Sequence, residues 1–198
     1  MSVTRSRAES QTAQPRIGRF SRKRLLIASG IAMVVFDIVL IVIDQRLEAT
    51  GGPSILGLEF AGSSGRATEI MAEWGAHGRH LARLSLWIDF GFMVSYGTFF
   101  ALAALATRDF ARERELRALV VAGIAAPFFA VAAPLFDAVE NVIWLLVLGG
   151  RGGEVGPPIA TTFASLKFLL IGLAIVYVVW GLFSRGLQKM RRKRSDVR

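Results

Sequence analysis

Apolar residues in this chain gather into long unbroken runs. A helix needs about 20 mostly apolar residues to cross a bilayer, and four stretches meet that length. They are "LLIASGIAMVVFDIVLIVI" at 25–43, "SLWIDFGFMVSYGTFFALAALA" at 85–106, a longer run over 118–148, and "IATTFASLKFLLIGLAIVYVVWGLF" at 159–183. None shows the period-2 alternation of a membrane strand, so the pattern predicts an all-α fold, a four-transmembrane-helix bundle. The third run is long enough to tilt or protrude, and Pro127 and Pro134 inside it are expected to bend it.

The polar positions between these runs predict a direction. Residues 1–24 carry Arg5, Arg7, Arg16, Arg19, Arg22, Lys23 and Arg24, and 185–198 carry Arg185, Lys189, Arg191, Arg192, Lys193, Arg194 and Arg198. Basic ends flanking apolar spans orient toward the cytoplasm, so the N and C termini are both expected inside. The connection "TRDFARERELR" at 107–117, with four arginines, belongs on the same side. The connections 44–84 and "LGGRGGEVGPP" belong outside. The organisation expected is a disordered basic N-terminus over 1–24, a membrane domain over 25–184 and a basic tail over 185–198. The first run is read as a retained helix, because no small-x-small cleavage site follows it.

Composition sharpens this picture. Of 198 residues, 53% are hydrophobic, which is high for a soluble domain. The net charge of +9 would point to nucleic acid in a soluble protein. Here the charge sits at the membrane flanks and nucleic acid is not expected, so the lipid bilayer is the first partner. Cysteine is absent, which excludes disulfides, thiolate metal sites and cysteine nucleophiles.

The outer connection is not featureless. Ser63 or Ser64 can cap a short amphipathic helix from Arg66 to Trp74, ended by Gly75, with Ala67, Ile70, Met71 and Trp74 on one face. Such a helix lies on the membrane surface or folds over the bundle as a lid. Glu73, His77 and His80 follow the spacing of zinc ligands on one helical face, a weak metal signal that Gly75 and Gly78 interrupt.

The most informative positions are polar ones inside the apolar runs. Asp137, Glu140 and Asn141 stand at i, i+3 and i+4, which puts them on one face of the third span. The first span carries Asp37, the second Asp89 with Tyr96 seven residues on, and the fourth Lys167. A rise of about 1.5 Å per residue places Asp89 roughly 6 Å, Asp37 roughly 9 Å, and Glu140 and Lys167 roughly 12 Å below the outer surface. An ionisable group at mid-membrane costs about 2.5–3.5 kcal/mol on insertion scales, so these side chains are expected to converge in the bundle interior. The four acids outnumber the one lysine, so the layer must take up protons or hold a cation.

The segments "LEFAGSSGRATEIMAEWG", "LWIDFGFMVSYGTFFALA", "FDAVENVIWLL" and "SLKFLLIGLAIVY", between about residues 55 and 180, resemble a group of bacterial four-span integral membrane proteins. Their most distinctive element is the intramembrane Asp-x-x-Glu-Asn pattern, here Asp137, Glu140 and Asn141. The resemblance implies a multi-pass protein of the cell inner membrane and carries no reaction with it.

Three functions are expected in descending order. The first is binding of a small lipidic, cationic or proton-exchanging ligand by Asp37, Asp89, Tyr96, Asp137, Glu140, Asn141 and Lys167. The second is a lipid- or isoprenoid-modifying enzyme with Glu140 and Asp137 as catalytic acid and base. The third is an accessory subunit, in a homo-oligomer or a larger membrane complex, whose polar layer only joins helices. No DDxxD-like, HExxH or nucleophilic serine motif supports the second, and no cofactor is specified.

Overall fold

The computed structural model describes residues 19–195, and no strand occurs among them. Five helices follow in order: α1 (Arg19–Glu48), α2 (Ile55–Glu59), α3 (Ser64–Glu113), α4 (Arg117–Leu148) and α5 (Gly156–Ser195). Four of them, all except α2, are long and apolar enough to cross a membrane. The expectation of a disordered N-terminus lies outside the described residues for 1–18. Arg19 to Arg24 form the first turns of α1, and α5 continues through the basic tail to Ser195. Arginine and lysine have good helix propensity, so nothing in these flanks stops either helix at the edge of its apolar run.

Helices α3, α4 and α5 pack on one another, and α1 lies against α3. The seam of α1 is made by Ser29, Met33, Phe36, Leu40, Ile43 and Leu47, spaced alternately three and four apart as helix pairing requires. The rest of α1 is a broad exposed apolar surface that includes Ile31, Val34, Val35 and Ile38. Helix α4 runs through both Pro127 and Pro134. The close approach of α3 at this level uses Gly97, where a Cβ would stand 2.8 Å from the Pro134 ring.

One end of the bundle is capped. The segment starting at Ser64 is opened by the Ser63 hydroxyl, which accepts from the Arg66 N–H at 3.2 Å. Gly75 breaks the helix with φ 60°, a left-handed conformation that glycine adopts without a Cβ penalty. Ahead of the break, Ala67, Ile70 and Trp74 are buried in an apolar cluster with Leu47 of α1, Leu58 of α2, Trp144 and Leu148 of α4 and Ala160 of α5. The Trp74 indole donates to the Pro53 carbonyl at 2.8 Å, and Asp44 accepts from the first N–H of α2 at 2.7 Å. The 49–63 connection is thus stitched onto the bundle by both apolar burial and satisfied backbone donors. At the other, basic end, Ala104, Ala111, Leu119, Ala126 and Tyr177 form a second cluster around the tight α3–α4 turn.

Candidate functional site

Below the cap, the acids of α4 meet the lysine of α5. Asp137, Glu140 and Asn141 all face inward, with 3%, 0% and 0% of their surfaces exposed. Their i, i+3, i+4 spacing is what aligns them. Lys167 is 4% exposed. Its Nζ lies 2.9 Å from Asp137 Oδ1, 2.8 Å from Glu140 Oε2 and 3.0 Å from Glu59 Oε2. The ammonium donates a hydrogen bond to Asp137 Oδ1, while Glu140 Oε2 and Glu59 Oε2 lie at ion-pair distance without a hydrogen bond of their own. The Phe168 ring, 4.9 Å from Nζ, adds a cation–π contact and stacks in turn on Phe60.

A second layer extends this centre through α3. The Tyr96 hydroxyl donates to Asp137 Oδ2 at 3.0 Å. Asn141 spends both amide hydrogens on α3, donating to Asp89 Oδ2 at 2.8 Å and to the Leu86 carbonyl at 3.2 Å. One connected network therefore joins α2, α3, α4 and α5. Glu140 Oε1, Asn141 Oδ1 and the Trp144 indole N–H, neighbours along the same face of α4, are buried without a hydrogen-bond partner. Native interiors seldom leave such groups unmatched, so this stretch of α4 has unused polar capacity.

Glu59 is the member that the sequence reading did not assign. It comes from α2, outside the four long helices, and is 7% exposed. Thr161 of α5 fixes its backbone, donating to the Glu59 carbonyl at 2.7 Å while accepting from the Gly62 N–H at 3.1 Å. Burial holds the Glu59 carboxyl above the usual glutamate range, because lost hydration outweighs the pull of Lys167. A signal was present in the sequence, since Glu59 is the sole charged residue between positions 49 and 65.

Two groups of candidate residues from the sequence stand apart from this network. Asp37 does not enter the network: it is exposed on α1, beside the seam residue Phe36. Glu73, His77 and His80 do not form a metal-binding face. Both histidines are exposed, Glu73 approaches Arg66 at 3.8 Å, and the Gly75 break separates them. Among the described residues, no group of three or more histidine or acidic side chains is arranged to hold a metal ion. The remaining expected residues, Asp89, Tyr96, Asp137, Glu140, Asn141 and Lys167, are brought together. Comparison with protein-family models, curated proteins and solved structures finds no match to this chain.

Proposed function

We propose that this chain is a multi-pass protein of the bacterial inner membrane whose buried Lys167 cluster is a proton-exchanging site. Both termini would be cytoplasmic and the α2 cap would face the other side, a direction supported by the basic flanks. The observation that carries the reading is the convergence of Glu59, Asp137 and Glu140 on one ammonium at 2.8–3.0 Å. With Asp89 joined through Asn141, four carboxyl groups share one lysine in a low-dielectric interior. Carboxyl groups held this close in a low-dielectric interior relieve their mutual repulsion by sharing protons. The Glu140 carboxyl oxygens, buried without a hydrogen-bond partner, support this further, since a protonated carboxyl can donate as well as accept.

The same geometry ranks the other ligands below a proton. Lys167 already occupies the position that a cationic ligand would take. A substrate for acid–base catalysis must come within hydrogen-bond reach of the acid, whereas Glu140 is fully buried and paired with Lys167. One observation favours a purely structural reading: a single Nζ ties α2, α4 and α5 together.

Infrared difference spectra of the protein in lipid, taken between acid and neutral pH, separate the two. A proton-exchanging cluster gives a protonated-carboxyl carbonyl band that varies with pH and is altered by Glu140→Gln. A structural staple gives no such band in the wild type, and the variant then shows only a lower melting temperature.

A further inference from the structure

At the basic end of the bundle, away from the cluster, α1, α3 and α5 enclose a pocket of about 380 Å³ where apolar sequence gives way to charge. Arg22 and Lys23 of α1 and Arg185 of α5 line it, as do Asp109 and Glu113 of α3. Arg22 leans toward Asp109 at 3.8 Å. Arg185 is fixed in place, donating to the Ala106 carbonyl at 2.7 Å and lying 4.7 Å from the Phe110 ring centre. Its Nε is buried and has no hydrogen-bond partner. Cations outnumber acids in the pocket by one, so the charge left over suits a single monoanion.

The pocket continues into a groove. Leu26 lines both, and beyond it Ile27, Gly30, Ile31, Val34 and Val35 of α1 face Phe99 of α3 across about 510 Å³. These positions of α1 repeat at i, i+1, i+4 and i+5, which makes one continuous strip. Gly30 contributes by omission, since a Cβ there would stand 3.1 Å from the Phe99 ring. From Leu26 to Val35 the strip rises about 14 Å at 1.5 Å per residue. Half of a bilayer hydrocarbon core is about 15 Å.

We propose that this is a binding site for one anionic phospholipid in the leaflet at the basic end. Lys23 and Arg185 hold its phosphodiester, and one acyl chain lies along the α1–α3 strip. The groove between α1 and α3 ends at Val35, one leaflet deep, which matches the length of a single acyl chain. The surplus positive charge argues for an anionic headgroup over a zwitterionic one, because basic pockets between spans select acidic lipids. The apolar extension argues for a lipid over free phosphate.

The test uses the full-length protein in detergent, with native mass spectrometry and thermal unfolding during titration with phosphatidylglycerol, phosphatidylcholine or inorganic phosphate. Phosphatidylglycerol is expected to remain bound at one equivalent and to raise the melting temperature saturably, while the other two do neither. Combining Lys23→Gln with Arg185→Gln should weaken phosphatidylglycerol about thirtyfold. Lys23→Gln alone leaves the Arg185–Ala106 bond intact and should weaken it about fivefold. Ile31→Trp, a change at a lipid-exposed position, should weaken it by obstructing the strip. Equal retention of phosphatidylcholine, equal stabilisation by phosphate, or unchanged binding in both Lys23→Gln and Ile31→Trp would each overturn the proposal.

Discussion

Lys167 of α5 holds Glu59 of α2 at 3.0 Å, so a side chain from the short cap helix completes a charge cluster formed within the long helices. This contact makes the cap and the buried layer a single electrostatic unit. The cap supplies a third carboxylate to an ammonium that already has two.

Removing the ammonium should be the most damaging single change. Lys167→Met would leave Glu59, Asp137 and Glu140 buried without their counter-charge, and breaking a buried pair in this way costs about 3–5 kcal/mol. Thermal unfolding in detergent should show the loss. Adding Asp137→Asn and Glu140→Gln to the same protein should restore much of it, because a neutral network no longer needs the lysine.

Asn141→Leu removes the amide that bridges Asp89 to α4. Leaving a buried acceptor unsatisfied costs about 1–3 kcal/mol. The melting temperature should fall accordingly, and Asp89→Asn added to Asn141→Leu should lower it by less than the single changes summed.

The cap should respond to pH through Glu59. Its carboxyl sits above the ordinary value of 4.5 because burial outweighs the attraction of Lys167. The folded protein therefore holds this proton more tightly than the unfolded chain does. That contribution to stability is complete on the acid side and is lost as pH rises through the raised pKa. Glu59→Gln, neutral throughout, should gain melting temperature relative to the wild type as pH climbs above 4.5. If the variant instead falls further behind as pH rises, the ion pair with Lys167 dominates over desolvation.

Asp37 should behave as an outsider. Asp37→Leu removes an exposed acid from the middle of a long apolar helix, relieving about 2.5–3.5 kcal/mol on insertion scales. Expression should hold or improve, and the infrared response of the cluster should be unchanged. Loss of that response would place Asp37 inside the network after all.

Much of this arrangement was legible in the sequence. The four long helices follow from run length alone, and the inward face of α4 follows from the spacing of Asp137, Glu140 and Asn141. Lys167 and Asp89 were identified by depth, since charged groups in lipid-length runs seek one another. Asp37 was misplaced because depth says nothing about azimuth. The seam of α1 runs through Met33, Phe36, Leu40 and Ile43, and Asp37 lies just to its side. Asp44, seven residues further along α1, also stays out of the network and instead accepts from the first N–H of α2. Glu59 escaped because its neighbours in space come from a different part of the chain, and a five-residue helix has too little periodicity to announce itself.

Helix α3 has one further consequence. It is the common neighbour of α1, α2, α4 and α5, while α1 relies on α3 for its packing. During synthesis, α1 is made before α3 and lacks this packing surface until the chain past Glu113 has emerged. A nascent chain halted at the 49–63 connection leaves that segment with no surface on which to assemble. The order of translation thus makes α3 the template on which the earlier and the later segments both settle.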